Sequence, residues 1–260
     1  MSVTAFLTDS TLCIGCKACE VACKEWNGVG EDGLDWSGFS YDNTGSVGAS
    51  TWRHVKFVEQ TPEPGFGGNA PELNSWAFSS DVCKHCENAG CLEACPTGSI
   101  VRTEFGGVYV QPDICNGCGY CVPACPFGVV GRNRDTGLAA KCTLCYDRQK
   151  DGIEPACAKA CPTDSITFGD LDELKERAKK RVNTLHDRGE TAAYLYGIDE
   201  DTSVGDLNAF FLLMDRPSVY NLPEKPKLPR NNLVSGFVAS LIAASFLTLT
   251  TAFSLWRRGK

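Results

Sequence analysis

The longest apolar stretch of the chain is Leu233 to Trp256, a 24-residue uncharged run. As a helix it reaches about 36 Å at 1.5 Å per residue, against a bilayer core of roughly 30 Å, so it predicts a membrane-crossing helix with some tilt. Ser235, Gly236, Ser240, Ser245, Thr248 and Thr251 within it are suited to packing against helices of a membrane partner. A second helix starts near Asp170. Leu171, Leu174, Ala178, Val182 and Leu185 recur at helical spacing, Asp170 is placed as N-cap with Glu173 three residues on, and Gly189 follows the end. Its mixed charges predict an amphipathic helix with one solvated face. Elsewhere the pattern is of short elements. Residues 97–101, 127–130 and 163–168 read as brief strands, and residues 24–82 read as a Gly-rich, Trp-bearing loop (Trp26, Trp36, Trp52, Trp76) with a little strand around Trp52 to Val58. Between the two helices' regions, Leu222 to Arg230 sets Pro223, Pro226 and Pro229 among charges and predicts an extended strap.

The elements are short because cysteine organises the chain. Sixteen cysteines fall into four groups of four: Cys13-x2-Cys16-x2-Cys19-x3-Cys23, Cys83-x2-Cys86-x4-Cys91-x3-Cys95-Pro96, Cys115-x2-Cys118-x2-Cys121-x3-Cys125-Pro126, and Cys142-x2-Cys145-x11-Cys157-x3-Cys161-Pro162. Three thiolates within a tight turn suit one face of an iron-sulfur cubane, and the fourth, usually followed by Pro, serves a different cluster. The groups therefore work in pairs. Zinc needs two Cys-x2-Cys knuckles per ion and has no use for the third cysteine. Disulfides are disfavoured by cysteines crowded three residues apart and by a chain too large to need eight staples. The 11-residue gap between Cys145 and Cys157 predicts a loop that protects a cluster.

Charge and the remaining motifs narrow the picture. A net charge of -7 disfavours a nucleic-acid partner. Gly28-Val-Gly30-Glu-Asp-Gly33 matches the dinucleotide fingerprint in form, but no apolar strand precedes it and Glu31 and Asp32 would repel a pyrophosphate. His54, His85 and His186 share no metal-ligand spacing, and His85 is expected to face solvent or to hydrogen-bond near a cluster. Lys17, Lys24, Lys84, Lys141 and Arg148 flank cysteines, placed either to tune a cluster or simply to be solvated. No Ser-His-Asp set, carboxylate pair or P-loop is visible, so the chain is expected to carry electrons without being an enzyme by itself. The N-terminus lacks a basic region and an apolar stretch of secretory type, so export of the body would need another carrier.

The runs Cys13-Ile-Gly-Cys-Lys-Ala-Cys-Glu-Val-Ala-Cys-Lys-Glu-Trp-Asn27, Cys115-Asn-Gly-Cys-Gly-Tyr-Cys121, Cys142-Thr-Leu-Cys-Tyr-Asp-Arg148 and Ala193-Tyr-Leu-Tyr-Gly197 resemble the iron-sulfur (beta) subunit of membrane-bound respiratory formate dehydrogenases, within the four-cluster subunits of molybdopterin oxidoreductases. The first group has Lys24 where the others have Pro, a usual departure in that family. The resemblance implies an α+β fold of two interleaved ferredoxin-like dicluster modules with loop insertions and one C-terminal transmembrane helix. The expected division is a soluble four-cluster domain at 1–221 (module A 1–75 with 134–170, module B 76–133, helical extension 170–221), a Pro-rich linker at 222–231 and the membrane helix at 232–257. It also implies four 4Fe-4S clusters: one on Cys13, Cys16, Cys19 and Cys161; a second on Cys142, Cys145, Cys157 and Cys23; a third on Cys83, Cys86, Cys91 and Cys125; a fourth on Cys115, Cys118, Cys121 and Cys95. Nitrate reductase relatives carry Trp and a three-iron cluster at the place that Cys118 occupies here. The implied partners are a molybdopterin or tungstopterin catalytic subunit that oxidises formate, a membrane cytochrome b feeding quinone, and lipid around the C-terminal helix. The alternative is the same wire serving a hydrogenase or a sulfur-compound reductase, or a structural metal-binding protein. Lys225, Lys227 and Arg230 before the span balance Arg257, Arg258 and Lys260 after it. The resemblance places the body on the outer, periplasmic side and the C-terminus in the cytoplasm.

Overall fold

The computed structural model describes residues 2–31, 38, 42, 44–60 and 75–258. Trp36 and the Asp32-Gly33 end of the glycine motif lie outside the described residues. In chain order the elements are β1 (Thr4–Asp9), α1 (Ala18–Asn27), β2 (Arg53–Gln60), β3 (Ser75–Val82), α2 (Gly90–Glu93), β4 (Ile100–Arg102), β5 (Val108–Val110), β6 (Gly131–Arg132), β7 (Ala139–Ala140), α3 (Tyr146–Lys150), α4 (Ala156–Lys159), β8 (Ile166–Asp170), α5 (Leu171–Asp187), β9 (Tyr194–Tyr196), β10 (Ala209–Leu213) and α6 (Leu233–Arg258).

Among the described residues the largest sheet runs β8-β1-β10-β9. β1 lies parallel to β10, with Phe6 opposite Ala209, and antiparallel to β8, with Phe6 opposite Phe168. Strand alternation then divides the sheet into two faces. Ala5 and Leu7 join a core with Leu174, Ala178 and Leu185 of α5, while Phe6 and Ala209 join a core that contains Cys19, Cys83, Cys142 and Cys157. One face thus carries the helix and the other the thiols. α5 begins as its sequence predicts: the Asp170 carboxylate accepts hydrogen bonds from the amides of Asp172 and Glu173, and Gly189 takes φ +92° just past the end.

Other elements differ from expectation for identifiable reasons. The insertion holds an eight-residue antiparallel hairpin, β2 with β3, rather than a little strand. Its aromatic residues supply the pairing energy, with Phe57, Trp76 and Phe78 in edge-to-face contacts 5.1–6.3 Å apart. This hairpin joins residues on both sides of the expected 75/76 boundary, and β10, from the expected helical extension, is central to the sheet that β1 and β8 build. The brief strands expected at 97–101 and 163–168 are β4 and β8, whereas 127–130 forms none and the pairing begins at Gly131. Residues 222–228 form neither helix nor strand and bend at Glu224 and Lys225, and the expected strap ends in a 3-10 turn at Pro229–Asn232, yet the segment is fastened to the body. Leu222 and Leu228 are buried in the helix-side core, Tyr196 donates to the Pro223 carbonyl at 2.6 Å, and the Leu228 amide donates to Ser203 Oγ at 2.9 Å.

α6 differs from all of this. Its described side chains are exposed along the whole length, and Pro229–Arg257 is long and apolar enough to cross a membrane. The hydroxyls expected at helix contacts are satisfied within it: Ser240 donates to Gly236 and Ser245 to Leu241, each at 2.8 Å.

Candidate iron-sulfur centres

Each cysteine group is shaped by the same backbone device. The residue before the second cysteine takes positive φ in every group: Gly15 (+68°), His85 (+46°), Gly117 (+72°) and Leu144 (+58°). A left-handed residue within a tight turn points successive N–H groups into one concavity, the nest that cradles anions and iron-sulfur centres. The Leu144 amide accordingly lies 3.3 Å from Cys142 Sγ. For His85 and Leu144 this conformation costs about 1–2 kcal/mol, a cost glycine avoids at the other two positions. After the fourth cysteine, Gly98, Gly128 and Asp164 turn the chain away with positive φ. The first group instead continues as helix: Cys19 and Cys23 sit one turn apart in α1, whose interior excludes the Pro found in the other groups.

The thiols converge from distant parts of the sequence. Cys13, Cys16, Cys19 and Cys161 line one small pocket, and Cys83, Cys86, Cys91 and Cys125 line another. Burial pushes the Cys142 thiol up, and neighbouring Cys23, Cys83, Cys145 and Cys157 push it the same way. Cys121 is raised by burial and then by Cys115, Cys118 and Cys95. Neighbouring sets adjoin: after burial, Cys157 raises Cys19, Cys83 raises Cys142 and Cys121 raises Cys91, which brings first beside second, second beside third and third beside fourth. Cys16 of the first set and Cys118 of the fourth are exposed.

These groups fit iron-sulfur clusters. Burial raises Cys23 and Cys91 each to about 12, so four such thiols facing one another hold no stable negative charge alone, whereas bound iron deprotonates them outright. Among the described residues no three His, Cys, Asp or Glu side chains are close enough to grip a single metal ion. Two of the quartets surround a pocket instead, as a polynuclear centre requires. Hydroxyl and amide donors surround several thiols: Ser80 Oγ is 3.3 Å from Cys19 Sγ and Ser99 Oγ 3.2 Å from Cys95 Sγ. At Cys95 burial raises the thiol, but bonds from Ser99, Thr97 and backbone amides outweigh it and bring the value down to about 6.

The side chains between the thiols depart most from expectation. Lys84, Lys141 and Arg148 are buried, not solvated. Lys84 pairs with Asp81 and lies 5.1 Å from the Phe211 ring; Arg148 stacks 4.2 Å from the Trp26 ring. Lys17 lies between Glu20 and Asp42, and Lys24 donates to the Ser50 carbonyl at 2.7 Å. His85 is buried beside Cys83 and Cys86 and accepts the Val108 amide at Nδ1 at 2.9 Å, so of its two expected settings it takes the hydrogen bond near the thiols and not the solvent. His54 is held between Glu20 (3.1 Å) and Asp42 (3.0 Å), and exposed His186 bonds the Ala193 carbonyl. Arg53, fully buried among the thiols, had no signal in the sequence, since it lies 30 residues before the nearest downstream cysteine, Cys83.

Comparison with known proteins agrees with this chemistry. Residues 12–99 and 74–171 each match a model described as a 4Fe-4S dicluster domain. Both windows run along the sequence, so neither coincides with a spatial unit. The nitrate-inducible formate dehydrogenase iron-sulfur subunit of Escherichia coli is 40% identical over 94% of this chain and 80% of its own length. The thiosulfate reductase electron transfer subunit of Salmonella typhi is 44% identical over 64% of this chain and 76% of its own. A polypeptide of the anaerobic dimethyl sulfoxide reductase of Escherichia coli is 33% identical over 66% of this chain and 76% of its own. Sixteen cysteines in two dicluster domains carry four 4Fe-4S clusters, and the chain is an electron carrier rather than a catalytic subunit. It belongs to the family of formate dehydrogenase iron-sulfur subunits.

Proposed function

We propose that this chain relays electrons from a formate-oxidising molybdenum or tungsten pterin subunit, through four clusters, to a membrane cytochrome b and quinone. The clusters are assigned to Cys13, Cys16, Cys19 and Cys161; to Cys142, Cys145, Cys157 and Cys23; to Cys83, Cys86, Cys91 and Cys125; and to Cys115, Cys118, Cys121 and Cys95. The observation that carries this reading is the succession of adjoining thiol sets with an exposed cysteine in the first and in the fourth, Cys16 near exposed Ile14 and Cys118 near exposed Tyr120. A wire that only stored electrons would need no second surface end. α6 anchors the body in a single pass, with the clusters on the outer side and the C-terminus in the cytoplasm. The same wire serving a sulfur-compound reductase is the second reading. It draws on the 44% identity to the thiosulfate reductase subunit, but that similarity spans 64% of the chain against 94% for the formate dehydrogenase subunit.

The test is to purify the complex from native membranes and add formate under anaerobic conditions. Formate should reduce the clusters of this chain, which should carry about sixteen irons and sixteen acid-labile sulfides. Failure of formate to reduce the clusters, with chemically pre-reduced clusters re-oxidised by thiosulfate or another sulfur-compound acceptor, would move the chain to the second reading. Removing residues 233–260 in a strain lacking the cytochrome should release the body from the membrane with its iron intact. Loss of iron on truncation would make α6 part of the body instead.

A further inference from the structure

Two cations stand in the interior among the thiol sets. Arg53 is 1% exposed and Lys141 is 2% exposed. Among the described residues, neither has a carboxylate in ion-pair distance, in contrast to Lys84 with Asp81 and Lys17 with Glu20 and Asp42. Arg53 Nη1 donates to Ser80 Oγ at 3.0 Å and the guanidinium lies 4.8 Å from the Phe6 ring, but its Nε and Nη2 have no hydrogen-bond partner among the described residues. Lys141 Nζ donates to the carbonyls of Val108 and Cys142, the latter at 3.0 Å, and lies 3.6 Å from Cys83 Sγ. An unpaired buried cation is strongly unfavourable unless something nearby is negative. The groups that favour the charge of Arg53, once iron holds them as thiolates, are Cys157, Cys19, Cys142 and Cys23, from the first and second sets; those that favour Lys141 are Cys83, Cys91 and Cys142, from the third and second.

We propose that Arg53 and Lys141 set the reduction potentials of the clusters on either side of them, Arg53 for the first and second and Lys141 for the second and third. The proposal rests on the cluster assignment given above. A cluster that accepts one electron from its neighbour gains one negative charge while the neighbour loses one, and no proton need move. A fixed cation at the junction favours the reduced form of both partners, since charge in a low-dielectric interior is weakly screened. Raising both together keeps the step between them level. The second cluster, facing both cations, should feel each of them, and the fourth should feel neither.

The experiment is redox potentiometry followed by paramagnetic resonance on the purified complex, comparing wild type with Lys141→Met, Lys141→Arg and Arg53→Met. Before that, Cys161→Ser, Cys23→Ser, Cys125→Ser and Cys95→Ser assign the wild-type signals to the four thiol sets. Lys141→Met should lower the potentials of the second and third clusters, Arg53→Met those of the first and second, and neither should move the fourth; Lys141→Arg should restore the wild-type values. Unmoved potentials at full iron content would overturn the proposal, as would an equal shift of all four signals. If Lys141→Met loses iron, Lys141→Gln, which keeps N–H donors for Val108 and Cys142, carries the measurement, and wild-type potentials in it overturn the proposal. Should the cysteine variants define another grouping, the assignment fails on its own. A drop confined to two signals on removing the Lys141 charge would still uphold its role, and no drop would end it.

Discussion

The eight cysteines from Cys83 to Cys125 come from one continuous stretch, whereas Cys13 to Cys23 meet Cys142 to Cys161 across the chain, where β1 is held between β8 and β10 and α1 packs against α4. The first unit is local. Its core is small (Ala89, Ile100, Val108, Val110, Val130 and Ala139 with the thiols), and the short pairs β4–β5 and β6–β7 complete it. The second unit closes loops of more than a hundred residues and needs a buried sheet to repay that entropy. The same thiol grammar is therefore served by two kinds of scaffold, one set by turns and one by long-range packing.

The comparison breaks most sharply at Phe6. This fully buried ring packs 5.6 Å from the Phe168 ring on the thiol side of the sheet. Phe6→Ala should cost about 3–5 kcal/mol and loosen the closure of β1 on β8. Denaturation and resonance spectra should show early loss of the two clusters assigned to Cys13–Cys23 and Cys142–Cys161, with the other two surviving longer; equal loss of all four would deny the two units any independence. Gly90→Ala tests the local unit with a smaller effect. A Cβ there would come within 2.5 Å of the Ala124 carbonyl and 3.0 Å of Leu228, a collision of about 1–3 kcal/mol beside Cys91 and Cys125. Its expected signature is damage to the third cluster together with faster amide exchange in residues 222–228.

The smallest effect is at the helix cap. Bonds from the Glu173 amide, the Ser2 side chain and the Asp172 amide hold the Asp170 carboxyl below its ordinary value. A lowered folded value means that the cap's contribution is fully present above the unfolded carboxylate range and is lost as pH falls through the lowered value. Amide exchange at the start of α5 should therefore quicken only in acid. Asp170→Asn should keep a cap and lose this pH dependence, and an unchanged acid response in that variant would assign the effect elsewhere.

Much of this was legible in sequence because it is local. Cysteine spacing announces cluster chemistry within a few residues, α5 carries its cap and its apolar stripe together, and α6 declares itself by length. The central sheet was not legible. Ala209–Leu213 is a short apolar run that periodicity alone does not assign, and its parallel partner Thr4–Asp9 lies some two hundred residues away. The burial of Arg53 and Lys141 was equally hidden, since a charged side chain reads as solvated until the groups around it are known. Likewise, prolines predicted an extended strap but not that Leu222 and Leu228 fix it to the core.

The interleaving of distant cysteines is tested most directly by resonance spectroscopy of Cys23→Ala and Cys161→Ala. Loss of the Cys23 thiol should convert or empty the cluster assigned to Cys142, Cys145 and Cys157, leaving the one on Cys13, Cys16 and Cys19 intact, and Cys161→Ala should do the converse. Damage confined in each variant to the cluster of its own sequence group would contradict the interleaved arrangement.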